Sequence, residues 1–242
     1  MITAEYLSEK LSEAGLFSHL TLENLDSLAR FTRRMLEINE GLNLTHFTSD
    51  EEVGQFHIVD SAHALPLLRK LQKGSSESWM DMGSGCGFPG ALLIAAFPQM
   101  DVTLMDATQK KVMALKSCLE TAGWSAKTQC GRAEEMGRDA GFRESYDGIV
   151  SRALADLPVA LEYAVPLLKI GEHLVNWMTE SQVQFVDKSK NALEELKSKI
   201  VEKSPYSLLD GSQKRYLVVV EKMGKTPSHY PRAVGVPSKK PL

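Results

Sequence analysis

No run of 18 or more apolar residues occurs in the 242-residue sequence, so a membrane-spanning helix has nothing to form from. The opening stretch MITAEYLSEKLSEAG is amphipathic and acidic, unlike the basic start and apolar core of a secretory signal. Cysteine is scarce: Cys86, Cys118 and Cys130 stand far apart, with no CxxC pair. That excludes a disulfide framework, argues against a structural zinc site and suits a reducing cytoplasm. No internal repeat or low-complexity tract stands out. Acidic residues are missing from 224–242, where Lys225, Arg232, Lys239 and Lys240 lie among prolines, although the whole chain carries a net charge of −3. An acidic body with a basic tail does not bind nucleic acid over its whole surface. A local basic contact stays open to the tail, while its charge alone reads as a solubilising, disordered end.

The first 70 or so residues read as helices. Leu22, Leu25, Leu28, Ala29, Met35 and Leu36 repeat at helical spacing, and Thr21 with Asn24 offers a start signal. His57 to Leu65 opens a further helix before a break at Lys73-Gly74-Ser75-Ser76. Short β-rich runs follow: SWMDM, DVTLMDA, AKTQCG, YDGIVSRA, EHLVNWM and RYLVVVEKM. Helical segments at about 90–97, 108–122, 156–168 and 180–199 separate most of them. Such alternation predicts an α/β fold with a doubly wound, largely parallel sheet. The expected division is a helical element over 1–70, a sheet domain over 71–223 and a tail over 224–242.

The stretch MDMGSGCGFPG, residues 80–90, has four glycines close behind the carboxylate of Asp81. It follows a strand and opens a helix, where open α/β sheets bind ligands. A P-loop is excluded because no Gly-Lys-Ser/Thr follows, and a serine nucleophile elbow fails because Met82 stands where glycine is required. Gly85 to Gly90 does match G-x-G-x-x-G, and Asp106 ends the next strand as a ribose-binding acid should. A carboxylate beside a pyrophosphate is unfavourable, whereas one near the ammonium of S-adenosylmethionine (SAM) helps. Both cofactors stay open on these residues, with SAM favoured.

The chain resembles the ribosomal RNA small-subunit methyltransferase G family almost end to end. The resemblance rests on Asn43-Leu44-Thr45, His57-Ile58-Val59-Asp60-Ser61, the MGSGCGFPG loop, Gly131-Arg132-Ala133-Glu134-Glu135, Ser151-Arg152-Ala153 and the terminal YPRAVGVPSKKPL. It implies a Rossmann-like, seven-stranded SAM-dependent methyltransferase sheet with an N-terminal helical extension. It implies transfer of methyl from SAM to N7 of a guanine in 16S rRNA, within the small ribosomal subunit, by a monomeric cytoplasmic protein that binds neither DNA nor membrane. It places cofactor contacts at Gly83 and Phe88, at Ala133 and Glu134 around the adenine, and at Arg152, to which the residue reading adds Asp106 at the ribose. With the aromatic face and guanidinium of Tyr230-Pro231-Arg232, it also implies an RNA contact by the tail. Trp177-Met178 departs from the family pattern, which often has Lys-Gly there, and Ile38 replaces its usual tryptophan.

The residues after the fourth strand bear on chemistry independently. An Asn/Asp-Pro-Pro-aromatic motif for exocyclic amines is missing, and no cysteine follows Cys130 to attack cytosine. A ring nitrogen such as guanine N7 offers a free lone pair, so positioning and electrostatics suffice and no catalytic residue is assigned. His57, Asp60 and His63 are read as structural or RNA-facing, since histidines six apart share a helix face poorly. The alternatives are a non-catalytic SAM- or nucleotide-binding module and a dinucleotide-binding oxidoreductase.

Overall fold

The computed structural model describes residues 1–183, 186–209, 211 and 213–242. The chain opens with α1 (Ala4–Glu13) and α2 (Leu22–Leu42). At the start of α2 Thr21 and Asn24 cap one another: the Thr21 hydroxyl accepts from the Asn24 N–H at 3.2 Å, and the Asn24 side-chain oxygen accepts from the Thr21 N–H at 3.1 Å. Asn43, at φ 51°, ends α2 in the left-handed conformation that asparagine tolerates. Next come α3 (Asp50–Val53), a π-helical turn over Gly54–Val59, α4 (Asp60–Ala62) and α5 (Leu65–Leu71).

Strands and helices then alternate: β1 (Ser78–Met82), α6 (Gly90–Ala96), β2 (Asp101–Asp106), α7 (Gln109–Ala122), β3 (Lys127–Cys130), α8 (Ala133–Met136), β4 (Tyr146–Arg152) and α9 (Leu157–Ala164). After β5 (Leu168–Thr179) come α10 (Glu180–Val183), α11 (Lys190–Glu195), β6 (Ser198–Ser207), β7 (Lys214–Lys222) and α12 (Val236–Lys239). Among the described residues, one seven-stranded sheet has the order β3-β2-β1-β4-β5-β7-β6. The first five strands are parallel, and β7 runs antiparallel between β5 and β6. The order reverses between β1 and β4, which opens a crevice at their carboxyl ends.

Alternation along the strands divides the core into two layers. Trp79, Val102, Leu104, Val150, Val175 and Val219 face α2, α6 and α7. Met80, Met105, Ile149, Leu174, Val218 and Val220 face α9 and α11. No helix among the described residues is long and apolar enough to cross a membrane.

Two expectations are corrected here. The segment 180–199 is not one helix: α10 and α11 are short, a 3-10 turn covers Val186–Ser189, and β6 begins at Ser198. Residues 184 and 185 of that span lie outside the described residues. As an edge strand β6 pairs with β7 alone and leaves Lys199, Val201, Glu202, Lys203 and Pro205 exposed, so it carries no apolar alternation to read. The tail is not a free arm either. Its Arg232 guanidinium grips the fully buried Glu162 carboxylate on α9, with Nε at 2.9 Å from Oε1 and Nη2 at 2.5 Å from Oε2. The Arg232 guanidinium is thus an ion-pair partner within the fold, and burying Tyr230 against the α9 layer holds the segment down.

Candidate functional site

The glycine loop between β1 and α6 is held by backbone hydrogen bonds to β2 and within itself. Gly83 and Ser84 donate to the Met105 carbonyl at 2.9 and 2.8 Å, and Gly87 donates to the Ser84 carbonyl at 2.7 Å. Gly83 (φ 75°), Gly85 (φ 55°) and Gly87 (φ 100°) occupy the left-handed region that favours glycine. A Cβ at Gly83 would lie 2.6 Å from a Leu154 methyl, whereas one at Gly85 would meet nothing nearer than the Gly83 carbonyl oxygen at 3.8 Å. The space beside Gly85 is open.

Two adjoining hollows meet at this loop, sharing Gly83, Asp106 and Leu154. The larger, about 480 Å³, is bordered by Thr45, Phe56, His57, Phe88, Lys111 and Arg152 among others. The smaller, about 110 Å³, is bordered by Met105, Arg132, Ala133, Glu134 and Tyr163. At their junction Asp106 accepts from the Gly85 N–H at 3.1 Å and the Thr108 N–H at 2.8 Å, one on each carboxylate oxygen. Each oxygen keeps a lone pair for a further donor such as a ribose hydroxyl.

Of the six residues singled out in the sequence, Gly83 and Asp106 touch both hollows, Ala133 and Glu134 the smaller, and Phe88 and Arg152 the larger. Several have other commitments. Glu134 Oε1 accepts from the Gly235 N–H at 2.9 Å, tying the tail to the smaller hollow. The Phe88 ring is buried between His57, stacked at 5.3 Å, and the edge of Phe31 at 5.9 Å. Arg152 enters a polar network: Nη1 donates to Asp60 at 2.9 Å and to the Phe56 carbonyl at 2.6 Å, and Nη2 lies 2.9 Å from His57 Nδ1.

Asp60 is the hub of that network. Beyond Arg152, its carboxylate accepts from the Tyr206 hydroxyl at 2.6 Å, and its backbone oxygen accepts from the Trp177 indole at 2.9 Å. His57 and His63 do not converge, for His63 packs on Tyr206 with ring centres 4.3 Å apart and planes tilted by 31°. Trp177 therefore serves the docking of the helical segment on the sheet. Sequence reasoning missed Tyr206, Leu154 and Tyr163. Tyr206 had no signal, being on the unrecognised edge strand.

Asp81 was expected to favour the ammonium end of SAM, and its place is different. It is buried behind the loop and accepts from the Gly90 N–H at 2.9 Å, so it caps α6. Its Oδ1 has no hydrogen-bond partner among the described residues. Burial pushes the carboxyl up to about 7, against the pull of the Gly90 N–H and the Arg152 charge. Between about pH 4 and 7 the native state thus keeps a proton that the unfolded chain has lost, and stability falls as pH rises by up to about 1.4 kcal/mol per unit. Asp81→Asn retains the acceptor for Gly90 and removes the titration. Unfolding free energies measured from about pH 5 to 8 should lose that downward slope in the variant; an unchanged slope would show that the Asp81 carboxyl ionises freely.

A match to the family model "rRNA small subunit methyltransferase G" extends over residues 24–215. The chain is 34% identical over 242 residues to a protein of Streptococcus gordonii, covering all of both chains, and 36% identical over 230 residues to one of Acetivibrio thermocellus, covering 95% of this chain and 93% of the other. Both relatives are named ribosomal RNA small subunit methyltransferase G. Among solved structures, the ribosomal protein L11 methylase of Lactobacillus delbrueckii subsp. bulgaricus superposes with a TM-score of 0.52 at 16% identity, over 68% of this chain and 79% of that one. The geranyl diphosphate C-methyltransferase of Streptomyces coelicolor does so with a TM-score of 0.51 at 13% identity, over 68% and 80%. Such structural likeness shows the sheet architecture alone; the full-length sequence matches show that the chain belongs to the rRNA small subunit methyltransferase G family.

Proposed function

We propose that the protein transfers a methyl group from SAM to N7 of a guanine in 16S rRNA, with the small ribosomal subunit as its substrate. The paired hollows suit SAM: the nucleoside would lie along Ala133, Glu134 and Tyr163, the ribose against Asp106, and the amino acid end beside the open backbone of Gly85. SAM supplies an electrophilic methyl group when bound.

The observation that carries the reaction class is the state of the buried titratable groups around the larger hollow. His57 has both ring nitrogens engaged, by Arg152 and by Thr45 at 2.8 Å. Burial, aided by the Arg152 charge, pushes its pKa down to about 3, which keeps it neutral. Asp60 is bound by Arg152 and Tyr206, and Asp106 by two backbone amides. The exposed His46 stands at the rim, with no hydrogen bond among the described residues. A nucleophile with its own lone pair and no proton to lose suits such a site. N7 meets that description, and its major-groove edge becomes accessible when the base is unstacked and turned out.

Incubating the protein with labelled SAM and unmethylated small subunits, then mapping N7-methylguanine in the 16S rRNA, tests this reading. Label at another atom, or no label, would overturn it. Asp106→Ala should weaken SAM by about 1.5–3 kcal/mol, roughly tenfold to over a hundredfold, through loss of charge-assisted contacts to the ribose. Calorimetric titration measures this, and a change under about twofold would remove Asp106 from the cofactor site.

A further inference from the structure

We infer that Thr45 reads the target base, donating its hydroxyl proton to the 6-oxygen of guanine beside N7 and so rejecting adenine; this rests on the guanine-N7 reading above. Arginine has only donors, so the Arg152 Nη2 contact at 2.9 Å makes His57 Nδ1 an acceptor. A neutral imidazole with one accepting nitrogen carries its proton on the other. Nε2–H therefore donates to Thr45 Oγ1, 2.8 Å away. The Phe47 N–H donates to the same oxygen at 3.1 Å. With both lone pairs taken, a hydroxyl that ordinarily donates or accepts can here only donate.

Thr45 is half-buried and borders the larger hollow. Its backbone is held by Asn39, whose amide accepts from the Thr45 N–H at 2.9 Å and donates to the Thr45 carbonyl at 3.1 Å. Beside it, Phe47 and Phe56 stack with ring centres 4.5 Å apart and planes at 19°, a half-buried aromatic surface against which a turned-out base can lie. On the edge that carries N7, guanine presents two adjacent acceptors, N7 and O6, while adenine replaces the second with an amino donor. A donor-only hydroxyl matches the first edge and opposes the second. The Thr45 contact thus selects the base, while His57 and Arg152 act through Thr45 as positioning residues.

The test uses the full chain, SAM and small subunits whose target nucleotide is guanine, adenine or 2-aminopurine, which keeps N7 and lacks the 6-oxygen. Thr45→Val should lower kcat/KM on guanine subunits by about 10- to 100-fold and shrink the guanine-over-adenine ratio by a similar factor. SAM affinity should stay within about twofold, and Thr45→Ser should restore guanine activity to within about threefold. Wild-type protein should be about 10- to 100-fold slower on 2-aminopurine subunits than on guanine subunits, a comparison that needs no variant and so holds even where Thr45→Val fails to fold. Wild-type rates on 2-aminopurine, or an unchanged base ratio in folded Thr45→Val alongside normal N7 methylation, would overturn the Thr45 assignment alone. Absence of N7 methylation by the wild-type protein would overturn the underlying reading, and the assignment with it.

Discussion

Arg152→Ala is expected to destabilise the protein by about 3–5 kcal/mol, the usual consequence of stripping one partner from a buried ion pair. The Asp60 side chain is 2% exposed and that of Arg152 11%, so the Asp60 carboxylate draws its stabilisation from the guanidinium more than from solvent. Among the described residues only the Tyr206 hydroxyl would remain on the Asp60 carboxylate, while the Phe56 carbonyl and His57 Nδ1 would lose their donor. These groups join the helical N-terminal segment to β4 and to the β6 edge, so the docking of that segment on the sheet should loosen. Arg152→Lys should rescue little, because one ammonium cannot reproduce a planar fork that reaches three acceptors. Urea unfolding measures the loss directly. A decrease below about 1 kcal/mol would mean that Asp60 relaxes to water and that the network is not what docks the segment.

Arg232→Ala should cost a comparable amount, about 3–5 kcal/mol, because Glu162 is fully buried and, among the described residues, would be left with the backbone N–H of position 232 at 2.7 Å alone. Replacing both residues together by apolar side chains of similar volume should recover most of the loss, since it is the unpaired charge that destabilises. The tail has further ties: Arg143 donates to the carbonyls of Tyr230 and Thr226, each at 2.8 Å, and Arg138 to that of Pro231 at 2.7 Å. Through Gly235 the tail also holds Glu134 at the smaller hollow. Detaching it should therefore weaken SAM as well as lower stability, where an RNA-binding arm would leave SAM affinity unchanged. Unfolding and calorimetric titration of Arg232→Ala decide between the two, and wild-type stability and SAM affinity would return the tail to an RNA role.

Much of the architecture was legible because it is local. Thr21 and Asn24 mark the start of α2 by bonding to one another three residues apart, and the runs that became β1, β2, β4, β5 and β7 announce themselves by apolar residues that the sheet buries on both faces. The glycine spacing of residues 83–87 likewise reports a backbone conformation that other residues adopt only with strain. The edge strand β6 escaped because a strand with one neighbour and much exposed surface needs no apolar pattern.

The roles of individual charges were another matter. Asp81 and Arg232 read in the sequence as a ligand acid and an RNA-binding cation, and the fold makes one a helix cap and the other a counter-ion for Glu162. Asp60 meets Arg152 across 92 positions and Tyr206 across 146. By itself the sequence determined the alternation of strands and helices, the glycine loop and its place at the carboxyl end of β1, since these depend on neighbours a few residues away. Only the tertiary structure decided which buried charges face each other and which face the hollows. A buried charge is settled by the partner that packing brings to it, and nothing near Asp60 in the chain indicates that partner.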